Sequence, residues 1–396
     1  MSSSTPVYPA PRDPATPVGT VYTEQRAHDP VSKVTLPSGH EAWLVSRYAD
    51  VRAVLADPRA SRYLLYPGAP YMIEPGDFST GERSILNLDP PDHTRVRKLV
   101  AKAFTPRRMA HLRGRIEEIT SGLLDSMAAL KPPADLIEEF AFPLPTAVIC
   151  ELLGVPFEDR ERFRAWSAVI VTPMQHAPEQ VAAAQREGTD DMLRLIASKR
   201  ESPGDDLLSA LIQARDEGDR LTEQELGDLA TQILLAGHET TVSLIGTGVV
   251  LLMRHPDQLA AVRADPALIA PAVEEILRYE SPADTSLLRV AAEDITIAGV
   301  TIRKGEAIIA VTGSGNFDER AFTRPEAFDV SRTHNPHLGF GHGAHFCLGA
   351  PLARVEGQVA LAGLLSRFPA LRLAVPPEEI VWRPPLSVRG PVAVPV

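Results

Sequence analysis

One of the chain's two cysteines, Cys347, lies in a glycine-rich segment, Phe340–Gly349, that precedes an apolar helix. Glycines free the backbone to turn N–H groups toward a sulfur atom, and a helix N-terminus adds a favourable partial charge. Both effects favour the thiolate, the form of cysteine that binds a metal. The segment therefore suits a metal-binding thiolate at Cys347, and the alternative is a buried structural cysteine beside a loop. The other cysteine, Cys150, lies in an apolar helical segment and is expected in the core.

A second pair of residues that could do chemistry is Glu239 and Thr240, which are adjacent in a long apolar helix. A carboxyl group beside an alcohol can relay protons from solvent. The alternative is a threonine that hydrogen-bonds within its own helix, beside an exposed glutamate. A zinc site is excluded, because the H-E-x-x-H pattern that would begin at His238 has Val242 at its last position.

Composition limits the class of protein that can present these residues. The chain has 396 residues, of which 44% are hydrophobic and 23% charged, and such values indicate a globular protein with a large core. Its net charge of −11 argues against nucleic-acid binding. The two cysteines indicate a reducing compartment. No signal peptide and no uninterrupted apolar span of ~18 residues is visible, so we expect a cytoplasmic protein that does not enter a membrane.

The pattern of apolar residues predicts a mainly α fold with a smaller β region. We expect a Pro-rich extended arm over residues 1–20 and a single domain over residues 21–396. Near the start of that domain, Lys33–Leu36 and Ala42–Ser46 are predicted to form a hairpin.

Further along, a series of helices is expected, and a capping box at Thr222 begins the longest, which continues to Met253. Period-two segments between residues 295 and 311 predict strands, and short Pro-containing strands finish the chain. The prolines and glycines of residues 59–86 exclude regular structure there and indicate a lid or binding loop, and the alternative is a disordered surface loop.

The segment Phe340–Gly349 resembles the haem-ligand loop of the cytochrome P-450 family, F-x-x-G-x-x-x-C-x-G, at all four fixed positions. Ala236–Thr240 is similar to the family's A-G-x-[DE]-T, and Glu275 and Arg278 have its E-x-x-R spacing. The resemblance extends from Val31 onward and is closest to soluble actinobacterial enzymes of secondary metabolism, including macrolide and polyketide hydroxylases. It implies the cytochrome P-450 fold.

The resemblance also implies a cofactor, haem b, whose iron is bound by the Cys347 thiolate within a loop that begins at Phe340. Haem carries two propionates, and arginine pairs especially well with carboxylates. The positions that match the family's propionate-binding residues are His93, Arg97, Arg289 and His345.

Other roles follow from the same resemblance. Glu239 and Thr240 would deliver the protons that dioxygen needs, and Gly237 would let the helix open locally beside them. Arg332 would join Glu275 and Arg278 in a buried brace behind the cysteine loop. The chain departs from its relatives at residues 314–318, where A-N-R-D is common, and this makes the local turn uncertain.

The implied activity is insertion of one oxygen atom of O₂ into a C–H bond, or epoxidation of an alkene, in a lipophilic metabolite such as a macrolide or another polyketide. Ferredoxin and ferredoxin reductase would supply electrons to a monomeric enzyme. Residues 93–115 hold eight Lys or Arg and no acid, and could dock the ferredoxin. The alternative is a solvated face that acidic neighbours balance.

Three other functions remain open: hydroxylation of a steroid-like or aromatic substrate, a haem-thiolate sensor without turnover, and a peroxygenase. The acid–alcohol pair argues against the last two, which would not need it. By family analogy, the substrate pocket should be lined by residues 59–86, residues 172–178, Leu234–Ala236 and Thr285–Leu288.

Overall fold

A computed structural model describes residues 5–13, 16–73, 84–101, 104, 106–171, 176–216, 221–384, 386 and 388–396. The chain divides into two compact units. The first contains Met1–Thr94, Thr247–Ala350 and Val375–Val392, and the second contains Arg95–Gly246, Pro351–Ala374 and Ala393–Val396. This division does not test whether residues 21–396 fold as one domain, and that stays a prediction.

The chain is 54% helical, which confirms the mainly α fold class. In chain order the helices are α1 (Val18–Val21), α2 (Thr23–His28), α3 (Tyr48–Ala56), α4 (Asp92–Ala101), α5 (Pro106–Ala128), α6 (Pro143–Leu153), α7 (Arg160–Val171), α8 (Pro178–Glu201), α9 (Leu207–Asp216), α10 (Glu223–Arg254), α11 (Pro256–Ala264), α12 (Ile269–Tyr279), α13 (Thr312–Gly315) and α14 (Ala350–Arg367). The predicted long helix is α10, and its capping box forms as expected: Thr222 Oγ1 accepts from the Glu225 N–H at 3.1 Å.

The first unit contains the β-strands. They are β1 (Val31–Thr35), β2 (Glu41–Val45), β3 (Ala60–Ser61), β4 (Arg289–Ala291), β5 (Ile295–Ile297), β6 (Val300–Ile302) and β7 (Ala307–Ala310). One sheet has the order β1-β2-β7-β4-β3, and β5 pairs with β6 in a second sheet. The β1–β2 hairpin is antiparallel, as predicted, whereas β2 and β7 are parallel.

The larger sheet is buried on both faces. Leu44 of β2 and Ile309 of β7 pack into one apolar cluster, and their neighbours Val45 and Ile308 pack into another. Successive side chains of a strand point to opposite faces, so one strand can serve both clusters. This explains why the segments read as nearly continuous apolar runs.

Some predicted elements are wrong. Helix α11, which begins at Pro256, was not predicted, and proline is well accepted at a first helical position. The described C-terminal residues form isolated bridges, such as Trp382 with Pro391, in place of strands, because proline has no N–H for a ladder. Residues 59–86 include the short strand β3 and a 3₁₀ turn, Ile85–Asn87, while residues 74–83 lie outside the described part.

In the second unit, a buried acid ties two neighbouring helices together. Asp191 of α8 has no exposed side-chain surface and accepts from Trp166 Nε1 at 3.1 Å and Arg162 Nε at 2.8 Å, which ties α7 to α8. Cys150 of α6 is 1% exposed, so its predicted place in the core is confirmed. Helix α10 is long and apolar enough to cross a membrane by composition, and 72% of its most apolar window is buried, as in a core helix.

The buried brace predicted behind the cysteine loop is present in the first unit. Glu275 and Arg278 of α12 form a bidentate pair, 2.8 Å for each bond, and neither side chain is exposed. Arg332 Nε donates to the same carboxylate at 3.0 Å. Arg278 also donates to the carbonyl oxygens of Asn316 and Pro325, so the network holds the chain segment ahead of the loop.

We predict that Glu275→Gln lowers the free energy of unfolding by about 3–5 kcal/mol, because it leaves two buried guanidinium groups without their carboxylate. Urea unfolding measures the loss. Glu274→Gln is the matched control: Glu274 is the preceding residue, but its side chain is 26% exposed and pairs with His337 at 3.0 Å. A loss at position 275 no larger than that of the control would contradict this account.

Glu356 of α14 is a buried acid that has no cationic partner in the described part of the chain. It is 1% exposed, and its Oε2 atom makes no hydrogen bond. Burial raises the pKa of this carboxyl well above its ordinary value of 4.5. Because the carboxyl binds its proton more tightly in the folded protein than in the unfolded chain, its contribution to the free energy of unfolding falls as pH rises above about 4.5.

Glu356→Gln should therefore stabilise the protein at neutral pH, because a neutral amide avoids the cost that burial imposes on the ionised carboxyl. The gain should shrink as pH falls below about 4.5, where the carboxyl becomes protonated in the unfolded chain as well. Urea unfolding of both proteins across this range gives the two curves, with the exposed Glu378→Gln as control. A gain that does not depend on pH would contradict the raised pKa of Glu356.

Candidate active site

The cysteine loop is shaped by two glycines and one backbone hydrogen bond. Gly341 and Gly343 both have φ of +73°, a conformation that other residues rarely adopt. A Cβ atom at Gly343 would also clash with the carbonyl oxygen of Leu55, so only glycine lets the loop pack on α3. The Cys347 N–H donates to the Phe340 carbonyl at 2.9 Å and closes the loop just before α14 begins.

The two cysteines have opposite environments. Burial raises the pKa of the Cys150 thiol to about 11, so it remains a protonated core side chain. Cys347 is exposed in its unit, and the adjacent Phe346 ring is 38% exposed. An accessible sulfur beside an exposed aromatic ring is suited to a large apolar group that carries a metal. Cys347, and not Cys150, is the candidate ligand.

Two of the predicted cofactor-binding histidines lie against each other. The rings of His93 and His345 have centroids 4.2 Å apart, although 252 positions separate them in the sequence. His93 is 2% exposed, and its backbone N–H donates to the Asp89 carbonyl at 2.9 Å, at the start of α4. The structure thus brings a residue of the cysteine loop and a residue of α4 together.

Arg289 is a buried cation whose hydrogen bonding is incomplete. It is 4% exposed, its Nη1 donates to the Ala60 carbonyl at 2.7 Å, and its Nε atom makes no hydrogen bond. Burial lowers the pKa of the guanidinium to about 10, with Asp89 acting in the opposite direction, so it stays charged at neutral pH. A buried donor without an acceptor suits an anionic ligand group.

Asp89 is a site residue that motif reasoning misses. Its carboxylate accepts hydrogen bonds from the Arg62 backbone N–H at 3.0 Å and from the Ser61 hydroxyl. The same carboxylate attracts the guanidinium group of Arg289 electrostatically. Its backbone carbonyl positions His93. In the sequence it is one acid before two prolines, and no local pattern indicates that it links β3, β4 and α4.

The predicted proton-relay residues lie in the second unit, on α10. Glu239 is 3% exposed, and Thr240 Oγ1 donates to the Ala236 carbonyl at 3.1 Å within the helix. The expected local opening at Gly237 is wrong, because α10 is a continuous α-helix. The glycine instead makes room for Ile149, whose Cδ1 would lie 2.5 Å from a Cβ atom there.

Arg97, the remaining predicted cofactor-binding residue, lies on α4 one turn after His93 and is half-buried.

Other cations of the basic stretch, residues 93–115, have acidic or amide neighbours. Arg95 pairs with Glu225 at 2.6 Å, Arg115 pairs with Glu151 at 2.8 Å, and Arg113 donates to Gln358 at 3.0 Å. The stretch is therefore balanced in part. The side chains of Arg107 and Arg108 lie outside the described part of the chain.

Of the segments expected around the substrate, Thr285–Leu288 lines an apolar cavity of about 230 Å³ in the first unit. Leu234–Ala236 lies on α10, and residues 172–175 and 74–83 are outside the described residues.

The turn at residues 314–318 forms without the A-N-R-D sequence. The Asp318 carboxylate, which is 1% exposed, accepts a hydrogen bond from the Tyr48 backbone N–H at 2.9 Å.

Comparison with known proteins gives the family. The model of the cytochrome P-450 family matches residues 159–385. Mycinamicin IV hydroxylase/epoxidase of Micromonospora griseorubida is 47% identical over 95% of this chain and 94% of its own length. Nocardicin C N-oxygenase of Nocardia uniformis subsp. tsuyamanensis is 45% identical over 95% and 94%. A crystal structure of a mutant of the mixed-function P-450 MycG in complex with mycinamicin IV superposes with a TM-score of 0.89 at 45% identity, covering 99% of both chains.

The chain belongs to the cytochrome P-450 family. It is a haem-thiolate monooxygenase that inserts one oxygen atom of O₂ into its substrate, and its cofactor is haem b with a cysteine thiolate on the iron. The residues of the first unit fit this group: an accessible thiol in a loop that only glycines permit, and a buried Arg289 with a donor to spare for a carboxylate.

Cys347→His should leave the protein able to bind haem while monooxygenation is lost, because an imidazole does not donate electron density as a thiolate does. The difference spectrum of the reduced, CO-bound protein measures this, since a thiolate ligand gives a characteristically red-shifted Soret band. Cys150→Ala is the control and should keep that band. A normal thiolate band in the Cys347 variant would show that another residue binds the iron.

Proposed function

We propose that the enzyme hydroxylates or epoxidises a lipophilic macrolactone or a related polyketide. The observation that carries the proposal is its 47% identity, over nearly the whole chain, to a hydroxylase/epoxidase named for the macrolide mycinamicin IV.

In this proposal, Cys347 binds the haem iron, and Phe340 accepts the backbone hydrogen bond that sets the loop around it. Bound haem supplies an iron that activates dioxygen, and its thiolate ligand favours O–O cleavage, as is known for cysteine-ligated haem. The propionates pair with four cations or potential cations: His93, Arg97, Arg289 and His345. The incomplete hydrogen bonding of Arg289 supports this assignment most directly.

We assign proton delivery to Glu239 and Thr240. Glu239 is 3% exposed and adjacent to Thr240, and its carboxyl group can take up and release a proton there. Thr240 has a hydroxyl that donates to Ala236 at 3.1 Å, and a hydroxyl oxygen can still accept from another donor. A sensor or a peroxygenase would not need this pair, which is the reason to prefer a monooxygenase that uses O₂.

Bacterial enzymes of this kind take electrons from ferredoxins through a reductase and act on lipophilic substrates. We propose the same supply here, with a monomeric enzyme in the cytoplasm. Within the basic stretch, we assign ferredoxin docking to the cations that have no acidic partner in the described part of the chain. Lys98 of α4, which is exposed, is one such candidate, whereas Arg95 is engaged with Glu225.

The test combines a binding screen with two variants. Macrolactones, steroids and aromatic amines are added to the haem-loaded enzyme, and the change of iron spin state in the Soret band identifies those that bind. With the best compound, ferredoxin, reductase and NADPH, we expect Thr240→Val and Glu239→Gln to lower product formation about 100-fold or more. NADPH consumption should continue, because electron supply is intact.

Thr231→Val is the matched control, since Thr231 lies on the same helix and donates to the Gly227 carbonyl at 3.0 Å in the same way. It should leave product formation unchanged. Full activity of the Thr240 variant would remove the alcohol from the proton path. Binding of steroids or aromatic amines, without binding of any macrolactone, would replace the proposed substrate class.

A further inference from the structure

The N-terminal arm forms one side of the apolar cavity in the first unit. It was expected to be extended, and it pairs with the sheet edge: the Tyr8 N–H donates to the Thr35 carbonyl and the Thr35 N–H to the Pro6 carbonyl, each at 2.8 Å. Tyr8 is 5% exposed. These contacts fix the course of the arm and place Arg12 in the cavity wall.

Arg12 has more hydrogen-bond donors than partners. Its side chain is 10% exposed, and Nη2 donates to Asp284 Oδ2 at a long distance of 3.4 Å. Its Nη1 atom is buried and makes no hydrogen bond. A guanidinium group donates hydrogen bonds and accepts none, so the missing partner must be an acceptor. An unpaired buried donor is costly, and a ligand oxygen would remove that cost.

The charges nearby show which kind of acceptor fits. Arg12 faces Asp284, and Arg389 pairs with Glu280 at 2.5 Å. The two cations are therefore matched by two anions: Arg389 and Glu280 are both buried, while the side chains of Arg12 and Asp284 are 10% and 26% exposed. A ligand carboxylate would add a negative charge without a counter-charge, which is unfavourable away from water. A neutral oxygen, such as a carbonyl, satisfies Nη1 and leaves the balance unchanged.

The rest of the wall is apolar and the space is sizeable. Val18, Met72, Leu288 and Val311 contribute side chains to a cavity of about 230 Å³. A dry cavity of about 150 Å³ accepts benzene, so an alicyclic molecule of roughly ten carbon atoms fits here. Leu386, at the same cavity, has φ of +67°, a conformation that costs a leucine energy and is often found at binding sites.

We propose that this cavity binds a neutral alicyclic ketone or lactone, whose carbonyl oxygen accepts a hydrogen bond from Arg12 Nη1. The N-terminal arm is then part of a ligand site, a role that neither the haem chemistry nor the family motifs assign to it. The inference concerns binding alone, and it holds whether the molecule is oxidised or not.

Calorimetric titration of the haem-loaded enzyme with two probes of the same shape tests the hydrogen bond. 2-Adamantanone has the carbonyl oxygen, and 2-methyleneadamantane has a CH₂ group in its place. We expect the wild type to bind the ketone about tenfold more tightly, and Arg12→Met to abolish that preference. Arg303→Met is the matched control, an exposed arginine paired with Asp294 outside this cavity, and should keep the preference.

Equal affinity of the wild type for both probes would overturn the proposal, as would a ketone preference that survives in Arg12→Met. A crystal structure of the wild type with 2-adamantanone is the second measurement and needs no variant. It should place the carbonyl oxygen within hydrogen-bond distance of Arg12, and a ketone bound only elsewhere would overturn the proposal. Neither measurement uses turnover, so failure here leaves the proposed oxidation standing.

Discussion

The carboxylate of Glu275 accepts hydrogen bonds from two arginines while having no contact with water. Removal of charges from water is expensive, and the arrangement is stable only because nearly every donor of Arg278 and Arg332 finds an oxygen. Several of those oxygens are carbonyls of residues 316–327. The network thus ties this irregular segment to a helix, and the segment leads into the cysteine loop through Leu338, whose N–H donates to Asn316 Oδ1 at 2.7 Å.

Complete and incomplete hydrogen bonding distinguish two kinds of buried arginine in the first unit. Arg278 is satisfied by protein groups alone, and its role is to hold the fold. Arg289, Arg12 and Arg26 each keep a buried nitrogen without a hydrogen-bond partner. An unpaired buried donor is costly, and a bound acceptor would remove that cost. We propose a propionate of the cofactor as the acceptor for Arg289 and the carbonyl of a neutral ligand as the acceptor for Arg12, whereas no acceptor is assigned to Arg26.

Glycine has different uses in the two motifs that resemble the family. In the cysteine loop, Gly343 combines a left-handed backbone with direct contact on the Leu55 carbonyl, so the loop can follow its course only without a side chain. In α10, Gly237 does not open the helix and instead admits Ile149. The same residue type thus serves loop geometry in one place and helix packing in the other.

The sequence by itself determined whatever depends on neighbours along the chain. The spacing around Cys347, the i,i+3 pair of Glu275 and Arg278, the extent of α10 and the β1–β2 hairpin all follow from local patterns, because helix and strand periodicity and turn chemistry act over a few residues. The family resemblance added the cofactor and the class of reaction.

Only the tertiary structure decided contacts between distant segments. It placed Asp89 between His93 and Arg289, and it paired Arg12 with Asp284 across 272 positions. It also showed that Arg95 is engaged with Glu225, which a count of charges along the chain misses. Such pairs depend on which faces of which elements pack together, and no residue near either partner in the sequence encodes that choice.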